Sequence, residues 1–112
     1  MKRTYKDYLV DMYESAAKIM KFTDSISFQE FNEDDKTLYA VIRAFEILGE
    51  ASKKIPKSFR DQHLTIPWKD IAGIRDKLIH DYFGVDAKVV WKAVKEEIPS
   101  LKNELQSIID KF

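Results

Sequence analysis

Apolar side chains recur at steps of three and four residues along most of this chain, and few residues interrupt the pattern. Only three glycines and three prolines occur in 112 residues. An all-β fold needs more turns than so few of these residues provide, whereas apolar residues at such steps line one face of an α-helix. The sequence therefore predicts an all-α fold, an up-and-down bundle of four to five helices.

The first half of the chain predicts two long helices. One apolar stripe covers about residues 3–22. Ser27 is of the residue type that caps helices, so a short helical piece is expected after it. The second long helix is expected to begin near Asp34 or Asp35, because acids suit a helix N-terminus, and to end before Pro56.

The second half of the chain predicts shorter helices, whose ends are marked by prolines, a glycine and an acidic residue. Proline at the first helical position predicts helices over about 56–63 and 67–82, the latter with Gly84 as its C-cap. Asp86 is expected to cap the last helix. Pro99 must break or kink that helix, because proline lacks the amide hydrogen and clashes with the preceding turn.

The second long helix carries two apolar stripes, which is unusual for a surface helix. The second stripe consists mostly of small residues: Ala40, Ala44, Ile47 and Ala51. Such a helix is either central in its own fold or in contact with another chain as well, and we expect this stripe to lie at or near a two-fold interface. Gly49 costs about 1 kcal/mol relative to alanine in a helix interior, so a close backbone approach is expected there.

Composition limits the function classes. Nineteen basic and nineteen acidic residues balance, which argues against a long electropositive groove, although residues 53–69 are locally basic or simply solvated. The absence of cysteine excludes disulfides and thiol catalysis. No apolar run is long enough to span a membrane, and the N-terminus lacks a signal-peptide pattern. We expect one cytoplasmic domain over residues 1–112.

The segment from Arg75 to Tyr82 carries the chemistry. Arginine holds a phosphate with a planar fork of donors, and His80 can transfer a proton near neutral pH. On an ideal helix Arg75 and His80 lie ~140° apart, so a site that uses both requires the helix to end near His80 or a second chain to complete it. Asp76 lies four residues before His80 and can meet it on a helix. Taken alone, such a pair is usually surface decoration.

Longer stretches resemble one known family. The chain from Ala40 to Leu101 resembles the HepT-like toxins of the HEPN superfamily, in order and at compatible spacings. The matching elements are Glu46-Ile47-Leu48-Gly49-Glu50-Ala51, Ile66-Pro67-Trp68, the Arg75–Tyr82 signature and Phe83-Gly84-Val85-Asp86.

The resemblance implies an activity and partners. It implies a HEPN-like helical homodimer that acts as a metal-independent endoribonuclease on tRNA or mRNA, with Arg75 and His80 as catalytic residues at the dimer cleft. It also implies a toxin–antitoxin pair of type II or VII. The antitoxin would be a minimal nucleotidyltransferase that transfers AMP to Tyr82, and larger assemblies with it are open. No cofactor is expected.

Other candidate residues have plainer alternatives. Asp76 and Tyr82 are candidate supporting residues; the alternative for Tyr82 is a core or interface aromatic, and the functional reading is favoured. Arg43, Glu46 and Glu50 share one helix face, where they either line the site, bind a basic residue of a partner chain, or are simply solvated. A second reading of the whole chain is an inert HEPN dimer that binds a nucleotidyltransferase or RNA.

The remaining residues indicate no further chemistry. His63 is expected at the surface, and the two histidines do not form a metal-site pattern. No glycine-rich phosphate loop is present. Trp68 and Trp91 have apolar neighbours and are expected in the core rather than as platforms for base stacking.

Overall fold

The structure is a computed structural model that describes residues 2–80 and 84–112, with the side chains of residues 75, 79, 80 and 85 outside the description. The described residues are mostly helical, so the predicted all-α class is confirmed. The helices are α1 (Tyr5–Thr23), α2 (Phe28–Glu33), α3 (Asp35–Ser52), α4 (Lys57–Arg60), α5 (Trp68–Ala72), α6 (Ile74–Leu78), α7 (Ala87–Glu96) and α8 (Ile98–Ile109). Two short strands, β1 (Ile79–His80) and β2 (Gly84–Val85), lie between α6 and α7.

The bundle is built around α1 and α3, which make the most extensive contact between any two elements, with α8 against α1 and α7 against α8. Their apolar stripes meet in one core that includes Leu9, Met12 and Phe45, all almost fully buried. Two members of the small-residue stripe, Ala44 and Ala51, are also buried within the chain. The helix α3 is therefore central in its own fold, which was one of the two alternatives for a helix with two apolar stripes. None of the described helices is long and apolar enough to cross a membrane.

The helix starts expected at Ser27, Asp34 and Asp86 are confirmed. Ser27 accepts a hydrogen bond from the Glu30 amide at 3.1 Å, and the Glu30 carboxylate accepts one from the Ser27 amide at 3.0 Å. Asp34 accepts from the Thr37 amide at 3.1 Å and from the Thr37 hydroxyl at 2.6 Å. These bonds satisfy amides that have no partner within the helix, so sequence alone locates these starts.

The prolines act slightly differently from the prediction. Pro56 and Pro67 are N-caps with non-helical ψ angles of 144° and 72°, so α4 and α5 begin one residue later than predicted. Pro99 lies in the first turn of α8, and Glu97 alone separates α7 from α8. The predicted break at Pro99 is confirmed, since a first turn needs no proline amide.

The prediction for residues 67–82 is wrong in two respects. The helix is divided at Gly73, whose φ and ψ of −94° and 9° leave the helical region, and α6 ends at Leu78. The next residues form an antiparallel pair in which Ile79 opposes Val85 and His80 opposes Gly84. Gly84 is thus a strand residue and not a helix C-cap. The β-branched residues at 79 and 85 favour this pairing, which competes with continuation of a short helix.

Candidate active site

The backbone of the motif lies at the end of α6 and in β1. Arg75 is the second residue of α6, and His80 is the last residue of β1. Their side chains, and all of Tyr82, lie outside the described residues. Because α6 ends at Leu78, the helical separation of ~140° between Arg75 and His80 does not apply. One of the two conditions stated for a site that uses both residues is therefore met by the backbone.

The same helix end removes the premise for a contact between Asp76 and His80. Contact between Asp76 and His80 at a four-residue step requires a helix that continues through residue 80. The described helix stops two residues earlier. The helical argument for this contact is thus wrong, and any support that Asp76 gives to His80 must come from another geometry.

A close contact with α3 positions the motif helix. A Cβ atom at Gly49 would lie 3.0 Å from the Ile71 carbonyl oxygen and 3.3 Å from Ile74 Cγ2. Both distances are shorter than ordinary packing, so only glycine lets α5 and α6 approach this closely. The expected close backbone approach at Gly49 is confirmed. Leu78 is buried as well, so the apolar side of α6 is seated on the core up to its last residue.

An ion pair joins the motif helix to the start of α8. Lys77 Nζ lies 3.3 Å from Glu97 Oε1, and about half of each side chain is exposed. Exposed pairs contribute little stability. The contact nevertheless connects α6 with the junction between α7 and α8.

A polar groove lies between α3 and α6. Its volume is about 330 Å³. Its side chains include the four sequence candidates Arg43, Glu46, Glu50 and Asp76, together with Lys53. The structure therefore brings together the candidates that are distant in sequence. Three carboxylates and two cations line the groove, so it suits a ligand that bears both donors and positive charge, or a base edge, better than a bare phosphate.

Sequence reasoning did not name Lys53 as a site residue. Its ammonium lies 3.4 Å from Glu50 Oε1, and both side chains are exposed. Lys53 follows Glu50 by three residues on α3, the step that places two side chains on one helix face. The helix periodicity could therefore have identified it.

A second groove, the α1–α3 groove, continues from the polar groove. It has a volume of about 440 Å³ and is lined by residues that include Phe22, Ala40 and Ile47. Phe22 and Ile47 are each 37% exposed, a large exposure for apolar side chains in one groove. Arg43 lines both grooves. An apolar surface is thus continuous with the candidate site.

Comparison with known proteins decides the family. The family profile described as "Ribonuclease HepT-like" matches residues 12–108. This span contains the polar groove, α6 and the motif. The chain belongs to the HepT-like family.

Relatives cover the HepT-like chain almost end to end. The chain is 56% identical over 108 residues to a protein of Thermococcus cleftensis named "Probable ribonuclease HepT", with 96% of this chain and 98% of the relative covered. It is 47% identical over 108 residues to the "Putative RNase MJ1216" of Methanocaldococcus jannaschii, with 96% and 89% covered. No solved structure gives a match.

His63, the other histidine of this HepT-like chain, packs against an aromatic ring. The His63 ring lies 4.4 Å from the Phe59 ring, and the residue is half-buried rather than at the open surface as expected. Its carbonyl oxygen accepts a hydrogen bond from Trp68 Nε1 at 3.0 Å. Within residues 2–80 and 84–112, no three histidine or carboxylate residues are arranged to hold a metal ion.

The two tryptophans of the HepT-like chain differ, although sequence reasoning placed both in the core. Trp68 is 7% exposed, so the prediction is confirmed for it. Trp91 is only partly buried and lines an open groove with lysines. Helical periodicity alone does not distinguish the buried tryptophan from the partly exposed one. Trp91 lies at the edge of the apolar face of α7, next to the buried Val90 and Val94.

Proposed function

We propose that this HepT-like chain is an endoribonuclease, the toxin of a toxin–antitoxin pair, that cleaves RNA without a metal ion. The observation that carries the proposal is the family match over residues 12–108, a span that includes an intact arginine, histidine and tyrosine signature at Arg75, His80 and Tyr82. The names of the relatives agree with RNA as substrate.

The chemistry uses the nucleophile that RNA itself carries. His80 accepts the proton of a 2′-hydroxyl, the O2′–P bond forms, and the P–O5′ bond breaks. The leaving 5′ oxygen takes a proton from a second imidazole, the His80 of a second copy. Arg75 stabilises the extra negative charge on phosphorus in the transition state. The products are a 2′,3′-cyclic phosphate and a 5′-hydroxyl.

In this proposal, the polar groove forms the walls of the catalytic site. Asp76 is the last of its carboxylates along the chain and directly follows Arg75. We assign Asp76 a positioning role, and Arg43, Glu46 and Glu50 a role in lining the site. The Asp76 carboxylate lines the groove together with Arg43, and a carboxylate beside an arginine can hold the guanidinium in one orientation through charge-assisted hydrogen bonds.

Cleavage is tested with purified protein, total RNA and tRNA in EDTA. The wild-type chain should release 2′,3′-cyclic phosphate ends, and His80→Ala and Arg75→Ala should each lower the rate by about 10²–10⁴-fold. Lys77→Ala removes a cation from the same helix and should retain the rate, since Lys77 is exposed and pairs with Glu97. Circular dichroism must show folded variants; unfolding of both would make the pair structural and refute the assignment.

A homodimer is the assembly that supplies the second histidine. The α1–α3 groove exposes Phe22 and Ile47 and is continuous with the polar groove through Arg43. A closed two-fold contact over this surface would bring the two motifs towards one cleft. Because Ala44 and Ala51 are buried in the chain itself, Phe22 and Ile47 are the contact residues in this proposal.

Sedimentation of two lysine variants tests the assembly. Phe22→Lys should give a monomer at micromolar concentration and lose cleavage, because a charge replaces an apolar contact. The matched control is Leu64→Lys, which changes an apolar side chain that is 77% exposed elsewhere and should stay dimeric. A wild-type monomer that cleaves RNA would contradict the proposal.

Control is proposed to act at Tyr82. A partner nucleotidyltransferase would join the Tyr82 oxygen to the α-phosphate of ATP and release pyrophosphate. The added AMP brings a negative phosphate close in sequence to Arg75 and His80, where it competes with the RNA phosphate. Mass spectrometry after incubation with the partner and ATP should find the adduct on Tyr82 and none in Tyr82→Phe. An adduct only at another tyrosine would refute this: Tyr5, Tyr8, Tyr13 or Tyr39.

A second candidate function is an inert dimer that binds RNA or a nucleotidyltransferase. The zero net charge favours it, because weak attraction for phosphate limits RNA affinity. The EDTA assay separates the two functions, since the binding module would retain RNA without new 2′,3′-cyclic ends. A small nucleotidyltransferase gene beside this one would favour the toxin–antitoxin pair.

A further inference from the structure

A third groove is exposed on α7 and α2, apart from the elements that form the polar groove and the α1–α3 groove. Its volume is about 440 Å³, and we call it the Trp91 groove. It is lined by Phe28, Lys88, Trp91, Lys92, Lys95 and Glu96. Three of these side chains are cations and one is an anion, on a chain whose total charges balance.

The Trp91 ring is held in place from the core side. Its centroid lies 5.0 Å from that of Phe31, which is fully buried, and 6.1 Å from that of Phe28 in an edge-on arrangement. A ring fixed in this way loses little conformational freedom when a ligand stacks on it. Trp91 is thus a prepared flat surface and not a mobile side chain.

The lysines form one stripe along α7. Lys88, Lys92 and Lys95 follow at steps of four and three residues, so they lie on one helix face, ~6 Å and then ~4.5 Å apart along the axis. Lys95 Nζ lies 4.6 Å from the centre of the Trp91 ring. Lys92 is 4.0 Å from Glu96, and both of these side chains are mostly exposed. Stripe and ring therefore share a face.

We propose that the Trp91 groove binds single-stranded RNA, with a base stacked on Trp91 and the flanking phosphates on Lys88 and Lys92. Aromatic rings accept any base, and lysines attract phosphates without regard to sequence. Lys95 would move from the ring to a phosphate when a base takes its place. An acidic protein segment would use the lysines but gain nothing from an open indole ring.

The location relates the groove to the motif. The helix α7 begins at Ala87, one residue after the β2 strand in which Gly84 pairs with His80. Lys88 is therefore the cation at the motif end of the stripe, and Lys95 is at the far end. An RNA strand bound in this groove would lie beside the site. The inference therefore rests on the proposed function and extends it to substrate binding.

The fluorescence of Trp91 tests stacking directly. The probe is a twelve-nucleotide 2′-O-methyl RNA, which lacks the nucleophile and stays intact. Wild-type fluorescence should be quenched on titration, while Trp91→Phe, which retains only Trp68, should show no quenching. Inorganic polyphosphate, which has no bases, should not quench either. Equal quenching by polyphosphate, or quenching that persists in Trp91→Phe, would overturn the stacking proposal.

Affinity and salt dependence test the lysines. The triple variant Lys88→Gln, Lys92→Gln, Lys95→Gln should bind the probe at least tenfold more weakly at low salt, with a slope of log K against log salt lower by about 2. The matched control Lys2→Gln, Lys57→Gln, Lys111→Gln makes the same charge change at positions outside α2 and α7, and its affinity for the probe should stay closer to that of wild type. Equal losses in both triple variants would overturn the proposal.

Cleavage assays separate this inference from the proposed function. If wild type cleaves RNA and the Lys88, Lys92, Lys95 variant has unchanged KM and kcat, the groove proposal fails and the nuclease stands. If Trp91 is quenched by the probe but wild type never cleaves RNA, the groove stands and the nuclease fails. The expected result is a raised KM with kcat within about threefold of wild type.

Discussion

The pair of helices α1 and α3 and the segment from α5 to β2 are held together by different means. The helices α1 and α3 have 19 and 18 residues and bury continuous apolar faces against each other. The described part of the segment consists of two five-residue helices and two two-residue strands. Helices this short are not stable alone, so the segment depends on its contacts with α3. Stability is thus concentrated in one region and the proposed chemistry in the other.

Phe45→Ala should have the largest effect, because it damages the helix pair, which supplies the stability and also supports the motif segment. Phe45 is 1% exposed in the core, and truncation of such a phenylalanine typically lowers the free energy of unfolding by about 3–5 kcal/mol. Denaturant unfolding followed by circular dichroism should show this, and RNA cleavage should fall with the folded fraction. An unchanged midpoint would mean that the core is not the source of stability.

Gly49→Ala should affect the motif segment more than the helix pair. The new methyl group would meet the Ile71 carbonyl oxygen at 3.0 Å, and overpacking of this kind costs about 1–3 kcal/mol. Alanine regains about 1 kcal/mol of helix propensity, so the net loss of stability should be small. Cleavage should fall much more, because α6 must move away from α3. Amide hydrogen exchange should rise in residues 68–80 and not in α1.

Gly73→Ala is the matched control for that variant. A Cβ at Gly73 would lie 3.5 Å from the Lys69 carbonyl oxygen, an ordinary contact, and its φ of −94° suits alanine. The free energy of unfolding and the cleavage rate should both remain near wild type. A loss of cleavage equal to that of Gly49→Ala would show that the segment needs a flexible joint at 73 and not a close seat on α3.

Asp34→Asn should have the smallest effect and should be confined to the start of α3. The hydroxyl and amide of Thr37 donate to the Asp34 carboxylate and lower its pKa below the usual 3.8. The stability from this charged cap is therefore complete above about pH 4 and is lost as the pH falls through the lowered pKa. Asparagine also caps helices, so melting temperature at pH 7 should hardly change, while its decrease below pH 4 should become shallower. An unaltered acid profile would contradict the role of the charge.

The sequence predicted the helix pair well because periodicity and caps are local. The stripe over residues 3–22 became α1, and Ser27, Asp34 and Asp86 cap helices as expected. Residues 67–82 are predicted as one helix with Gly84 as its C-cap. The division at Gly73 depends on packing against α3, and the strand pairing depends on a partner strand. A local sequence pattern shows neither contact.

For the candidate site, sequence could group residues on one element but not across two. Arg43, Glu46 and Glu50 were recognised as one face of α3, and the structure adds Asp76 from α6. The roles of Arg75, His80 and Tyr82 stay predictions, as does the single domain over residues 1–112. The exposure of Trp91 was missed, because an aromatic residue beside Val90 is typical of a core and its open edge depends on where α2 ends.

The single-residue junctions at Asp34 and Glu97 restrict chain length. Asp34 is both the last cap of α2 and the first cap of α3, and Glu97 has the same position between α7 and α8. Inserting one residue at either junction would turn the attached short helix by ~100° about its axis. Phe28 and Trp91 would then face in unrelated directions, although the core would keep its composition. Insertions and deletions among natural variants should therefore accumulate between α3 and α5, and purifying selection should preserve the spacing across both junctions.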